Sequence, residues 1–163
     1  NDDLLLESGI GTHLSTRSQT AGKGRRKRQW ASIEGCYAGS WIVAEGKGIN
    51  PGHLQLSGGL AVINSLRDKQ LNLKWPNDIL IDGRKLCGIL AEGITIQKGM
   101  RVVLGIGINL KTATHNSDFD IAFLDEVLEI EFEEFDRRLH CELASLLECR
   151  DDLPAIRYEE IHL

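Results

Sequence analysis

The sequence predicts an α+β fold in which a mixed β-sheet carries flanking helices. Three observations lead there. Leu54, Leu56, Leu60, Ile63 and Leu66 recur close to helical spacing, and Phe132, Phe135, Leu139, Leu143 and Leu146 do so again. Between these two helices, Ile79-Leu80-Ile81 runs into Asp82-Gly83, a dipeptide suited to a type I′ hairpin turn. Hairpin strands interspersed with helices favour α+β over a doubly wound parallel sheet.

The elements follow in chain order. Residues 1–7 carry acidic side chains at the start and three leucines, the pattern of an opening helix, which Ser8-Gly9-Ile10-Gly11 ends. Residues 13–19 read as a short extended segment. Trp41-Ile42-Val43 reads as a strand. Residues 46–52 are dense in turn formers, so the first amphipathic helix is expected over residues 53–68. Leu71-Asn72-Leu73-Lys74-Trp75 alternates as a strand does, and Pro76-Asn77-Asp78 breaks it. Residues 84–93 form the return strand of the hairpin, with Leu86–Ala91 as its buried run. Residues 101–110 form another strand, with glycines where a backbone or ligand can come close. Residues 118–136 hold nine acidic and no basic residues and read as a solvated acidic face. A second amphipathic helix is expected over residues 131–149.

Composition narrows the function class. The 163 residues suit one domain with a real core, and 42% apolar with 26% charged content is ordinary for a soluble protein. No apolar run approaches the roughly 20 residues of a membrane helix, so no membrane role is expected. The acidic start is unlike a signal peptide, and a cytoplasmic location is expected. Cys36, Cys87, Cys141 and Cys149 form no C-x-x-C pair and are expected as free thiols; no metal site is assigned to protein side chains. The formal net charge of −5 opposes general affinity for nucleic acid.

Against that charge, Gly22-Lys23-Gly24-Arg25-Arg26-Lys27-Arg28 concentrates five cations on a loop with two glycines, followed by Gln29-Trp30. It is neither a Walker loop nor a dinucleotide fingerprint, since Lys27 holds the third glycine position of the latter. Backbone N–H groups and arginine forks can converge there on phosphate or carboxylate, and a nucleic-acid patch remains open from composition alone. Lys74-Trp75-Pro76-Asn77-Asp78 presents a Lys, an Asn and an Asp around a rigid turn. Lys85 precedes a buried run: pointing inward it needs an anion beside it, pointing outward it is a surface lysine.

Residues 19–30, with Lys74–Asp78, Gly83–Glu92 and Gly105–Leu110, resemble in order and spacing the Gly-Arg loop, the K-W-P-N-D…K-x-x-G-I-L-x-E signature and the G-x-G-I-N segment of the biotin protein ligases. The resemblance implies the catalytic fold shared with class II aminoacyl-tRNA synthetases. It implies ATP and Mg²⁺ as cofactors, biotin as substrate, biotinyl-5′-AMP as intermediate, and the biotin carboxyl carrier domain of a carboxylase as partner, with no nucleic-acid partner. A homodimer through an exposed strand edge is compatible with it. By motif position Lys85 and Arg25 would be catalytic. Asn1, Gln19, Gly22, Lys23, Gly24 and Gly88 would contact biotin or the adenylate, with Leu86 and Ile89 in an apolar wall. Arg28, Trp30, Lys74, Asn77 and Asn109 would serve the nucleotide, with Mg²⁺ entering on ATP. Lys27 departs from a glycine common in the family loop. The expected organisation is one catalytic domain over residues 1–163, without the N-terminal Ser-Thr strand and the small C-terminal β-barrel of many members. Lipoate attachment on the same fold, or biotin binding without full catalysis, are the alternatives.

Overall fold

In a computed structural model of the chain, residues 8–30, 35–67, 70–113 and 120–148 are described. The expected opening helix over residues 1–7, Asn1, Cys149 and the tail lie outside them. The strands are β1 (His13–Thr16), β2 (Gly22–Lys23), β3 (Gln29–Trp30), β4 (Cys36–Gly46), β5 (Leu71–Lys74), β6 (Asp78–Ile81), β7 (Arg84–Ile96) and β8 (Gly99–Asn109). The helices are α1 (Pro51–Leu66) and α2 (Phe132–Glu148). Six strands form one sheet in the order β1-β4-β8-β7-β6-β5, and β2-β3 form a separate ribbon. Every ladder in the sheet is antiparallel, and among the described residues an isolated bridge between Lys85 and Ile121 is parallel. The α+β class therefore stands.

Alternation along the strands divides the sheet into two unlike faces. One cross-strand row runs Tyr37, Ile108, Cys87, Ile79 and Leu73, none more than 6% exposed. The helices cover this face. Each fully buried aliphatic side chain there contributes about 1.5–3 kcal/mol. The neighbouring row, one residue along each strand, runs Thr16, Ala38, Gly107, Gly88, Asp78 and Lys74. It has small residues at its centre and charged residues at one end.

Helix α1 starts two residues earlier than expected. Asn50 caps it by accepting from the Gly52 N–H at 2.9 Å, and Pro51 sits where a missing N–H costs nothing. Its sheet-facing side is also not the leucine stripe alone. Leu54 and Leu66 are buried, but Gly58, Gly59, Ala61 and Val62 make the closest approach, while Leu56 and Ile63 are half-buried against the core. A Cβ on Gly58 would lie 3.0 Å from Leu104 and 3.2 Å from Ile89. Helix α2 buries Phe135, Leu139 and Leu143, and its Phe132 and Phe135 rings pack on Tyr37 at 5.0 and 4.9 Å. Among the described residues no helix is long and apolar enough to cross a membrane. Cys87 and Cys141 are free thiols.

The strands at the hairpins are longer than the sequence signals. β7 and β8 extend to Ile96 and Gly99, and Asp82 and Gly83 both adopt positive φ, as a type I′ turn needs. The acidic stretch is less free than a solvated face. Glu126 pairs with Arg84, Glu131 with Lys111 and Glu133 with Arg17, while Asp125 accepts from Thr112. The Arg84 guanidinium holds the Glu126 carboxyl below the usual carboxylate range. Exposed pairs of this kind are screened by solvent, so they orient the segment more than they stabilise it.

One polar cluster ties the edge strand to α2. His13 stacks on Trp41 with ring centroids 4.5 Å apart, and its Nε2 lies 3.1 Å from Asp136 Oδ1, which also accepts from the Tyr37 hydroxyl at 2.6 Å. Trp41 Nε1 donates to His140 at 3.4 Å. Burial lowers the His13 pKa from 6.5; Asp136 opposes this and His140 adds to it. A histidine that resists protonation in the fold stabilises the protein above its unfolded pKa. That contribution is lost as pH falls below 6.5 toward the lowered folded value. Urea midpoints at pH 7.5 and 5.5 should therefore differ more for the wild type than for His13→Phe, which keeps the stack without the titration; equal differences would contradict this. Gly58→Val, which forces branched methyls toward Leu104 and Ile89, should lower stability by about 1–3 kcal/mol in the same unfolding assay.

Candidate functional site

The open face of the sheet has a floor without side chains at its centre. Gly88 and Gly107 are direct cross-strand partners in β7 and β8, and Ala38 adjoins Gly107 from β4. The Trp30 indole rests on this floor. A Cβ on Gly107 would lie 2.6 Å from Trp30 Cε2, and one on Gly88 2.9 Å from Cζ3, so only glycine admits the ring there. The indole Nε1 is buried without a hydrogen-bond partner. An orphaned buried donor costs about 1–3 kcal/mol, so this position favours an acceptor group brought by a ligand.

The β2-β3 ribbon carries Trp30 to the floor. Gly22 pairs with Trp30 and Lys23 with Gln29. A Cβ on Gly22 would meet the Trp30 carbonyl at 2.6 Å and Gln19 Oε1 at 2.9 Å, which is why the ribbon needs glycine at this crossing. Between the strands, Arg25–Lys27 form one 3₁₀ turn, closed by Gly24 N–H to Arg28 O at 2.8 Å and Arg28 N–H to Arg25 O at 3.1 Å. Arg26 takes a left-handed conformation, φ 55°. The turn leaves Arg25, Arg26 and Arg28 exposed, and Arg25 reaches across to Asn77 Oδ1 at 3.4 Å.

Lys85 supplies the fixed cation. Its Nζ lies 2.7 Å from Asp78 Oδ1 and 5.6 Å from the Trp30 ring centroid. The side chains of Lys85 and Asp78 are 34% and 24% exposed, so the pair is half-desolvated and open to an incoming anion. The two sequence alternatives for Lys85 are thus resolved together: it points onto the open face, and Asp78 is its anion. The hairpin brings them together through a bulge. Leu80 pairs with Lys85, while Ile79 pairs with Cys87, which leaves Leu86 as the extra residue.

Of the expected site residues, the structure gathers Lys85, Arg25, Trp30, Gly88 and Asn77, with Gln19, Gly22, Lys23, Gly24 and Arg28 on the ribbon above. Lys74 is exposed at the end of the glycine row, beyond Asp78. Asn109 is 4% exposed, and its amide donates to Lys85 O at 3.4 Å and Ala122 O at 3.1 Å. Asn1 lies outside the described residues. The apolar wall expected from Leu86 and Ile89 is not on this face. Ile89 pairs with Ile106 on the helix-covered side, and both Leu86 and Ile89 are at most 1% exposed.

Sequence reasoning missed Gln55. From α1 it donates to Pro76 O at 2.9 Å and accepts from Ala91 N–H at 3.3 Å, locking the Lys74–Asp78 turn to β7. A polar residue next to Leu54 in a buried helical stripe was the available signal. Trp75 is 58% exposed beside this turn. Among the described residues no group of three or more His, Cys, Asp or Glu side chains is placed to hold a metal.

The face thus offers a flat floor covered by an aromatic ring, one half-buried cation and an exposed arginine turn. Such a site can seat a planar group and gather anions beside it.

Comparison with known proteins agrees with this chemistry. The model of the Biotin/lipoate A/B protein ligase family matches residues 10–109. The chain is 36% identical over 119 residues to a biotin–[acetyl-CoA-carboxylase] ligase of Paracoccus denitrificans, covering 68% of this chain and 50% of that protein. It is 35% identical over 141 residues to the ligase of the same name from Mycobacterium tuberculosis, covering 76% and 50%. The chain therefore spans about half the length of the curated relatives it matches. The biotin protein ligase of Aquifex aeolicus, solved in complex with biotin and ATP, superposes with a TM-score of 0.71 at 27% identity, over 90% of this chain and 66% of that one. With the family model covering 100 residues from the edge strand to the end of β8, the chain belongs to the Biotin/lipoate A/B protein ligase family.

Proposed function

We propose that this chain is the catalytic part of a biotin–protein ligase. The observation that carries this reading is the Lys85–Asp78 ion pair set beside the Gly88–Gly107 floor and under the Arg25 ribbon. The relatives support biotin over lipoate, because those reported are named or titled for biotin. One catalytic domain over residues 1–163 is the organisation proposed, with a cytoplasmic location.

In the proposed reaction a biotin carboxylate oxygen attacks the α-phosphorus of ATP. The bond to the β-phosphate oxygen breaks, pyrophosphate leaves, and the mixed anhydride biotinyl-5′-AMP remains. Two anions must meet, and charge builds on the phosphoryl oxygens in the transition state. Lys85 is fixed in place by Asp78, so its ammonium is oriented before the substrates arrive and lowers that barrier more than mobile water can. Arg25 and Arg28 on the ribbon add cations when the loop closes. Mg²⁺, carried in on ATP, would supply further neutralisation of the phosphates, with Asp78 and Asn77 as the nearest protein oxygens.

The rings of biotin are proposed to sit against the Trp30 indole where it covers the glycine floor, with Gln19, Gly22 and Lys23 beside them. The adenine is proposed to lie near Trp30, with Lys74 and Asn77 on the nucleotide side. The ribbon over the anhydride excludes water, which protects it from hydrolysis. An acceptor lysine of a biotin carboxyl carrier domain then attacks the acyl carbon, and AMP leaves.

Pyrophosphate exchange tests this reading. With biotin, Mg-ATP and labelled pyrophosphate, label should enter ATP only when biotin is present. Lys85→Ala should lower the exchange roughly 100–1,000-fold, the scale of removing one preorganised donor. Absence of biotin-dependent exchange would contradict the ligase reading, and exchange with lipoate instead would reassign the substrate. Gly107→Val should abolish biotin binding measured by calorimetry while leaving the far-UV circular dichroism unchanged; retained binding would remove the floor from the site.

A further inference from the structure

Lys85 stands where the regular sheet runs out. The β7-β8 ladder begins with Cys87 opposite Ile108, and β8 ends at Asn109. The Lys85 peptide, two residues before Cys87, therefore has no partner in β8. A strand-end carbonyl left unpaired inside a protein is costly, and the cost would be met by displacing the backbone. Three groups replace the missing strand. The Lys85 N–H donates to Asp120 O at 3.1 Å. Its carbonyl accepts from the Ala122 N–H at 2.8 Å and from Asn109 Nδ2 at 3.4 Å. The same Nδ2 donates to Ala122 O at 3.1 Å, so one side-chain amide spans both backbones.

We infer that Asn109 is a positioning residue for Lys85, and that the Asp120–Ala122 segment is the second half of the same clamp. Among uncharged side chains only a primary amide provides two N–H groups from one atom, and here they serve two carbonyls of different segments. With the Lys85 backbone held on both its polar groups, its side chain leaves from a fixed point and its ammonium meets Asp78 at 2.7 Å. Asn109 is 4% exposed, and its donors are taken up by Lys85 O and Ala122 O. Its part in the reaction runs through Lys85, whereas the family resemblance puts it on the nucleotide itself. The inference rests on the proposed role of Lys85 in adenylation.

The test is Asn109→Asp, which puts a carboxylate against two carbonyl oxygens, made alone and with Lys85→Ala. Pyrophosphate exchange should lose about 100-fold in kcat, the scale of a displaced reacting group. KM for ATP and for biotin should stay within about threefold, because no substrate contact is removed. In the Lys85→Ala background the same substitution should add less than about threefold, since its route of action is already gone. A rise in KM for ATP with kcat retained, or losses that multiply in the double variant, would overturn the inference in favour of direct nucleotide contact or a general structural role. Asn109→Ala, which withdraws both donors without adding charge, carries the same expectations if the Asp variant does not fold. A second readout needs no activity and separates failure here from failure of the ligase reading. Under limiting acetic anhydride, mass spectrometry should show Lys85 modified several-fold faster in the variant than in the wild type, with exposed Lys47 and Lys98 unchanged. Equal Lys85 labelling would overturn the clamp even if the wild type shows no exchange.

Discussion

The cross-strand pairing of Gly88 with Gly107 is the constraint on which the rest of the site depends. Because side chains alternate, this register fixes which residues of four strands face the helices and which face outward. A slip of one residue would turn Tyr37, Ile108, Cys87 and Ile79 out of the core and bring glycines into it. Core burial and site geometry are therefore one choice. The buried row holds the sheet to α1 and α2, and the same register leaves a bare backbone floor on the other side. The Trp30 ring lies there, and a single methyl on either glycine would meet it.

Electrostatics at the site follow from where that floor ends. Asp78 is the cross-strand neighbour of Gly88, so the row terminates in a carboxylate. The bulge at Leu86 brings Lys85 to it. A half-buried ion pair of this kind contributes little net stability, because desolvation offsets the attraction. Its consequence is orientation: the ammonium is held before any substrate is bound. The arginine ribbon differs. Arg25, Arg26 and Arg28 are exposed, and Arg25 reaches the site through Asn77, which suits a cover that closes on anions more than a fixed wall.

Much of this was legible in the sequence, and the misses have physical causes. The helical periodicities and the Asp82-Gly83 turn placed α1, α2 and the central hairpin, because burial and turn chemistry are local signals. The early start of α1 was missed because Pro51 reads as a loop residue unless Asn50 is recognised as the cap. The Gly58–Val62 face was missed because small residues that permit close approach carry little hydrophobic signal. Lys85 was singled out as a cation in need of an anion, but choosing Asp78 required the bulged register, which no composition reveals. Leu86 and Ile89 were placed in a ligand wall by motif proximity, yet strand alternation sends Ile89 to the helices. Asn109 resembled a ligand contact in sequence, while its buried amide links two backbones far apart in the chain.

The central claim is that the ligand sits against the Trp30 indole that covers the Gly88–Gly107 floor. Its most direct test is two-dimensional NMR of the ¹⁵N-labelled chain titrated with biotin and Mg-ATP. The amides of Ala38, Lys85, Gly88, Gly105 and Gly107 should shift most, together with the Trp30 indole N–H, while those of α2 stay in place. Shifts concentrated on α2 or on the helix-covered row, with the glycine floor unmoved, would contradict the claim.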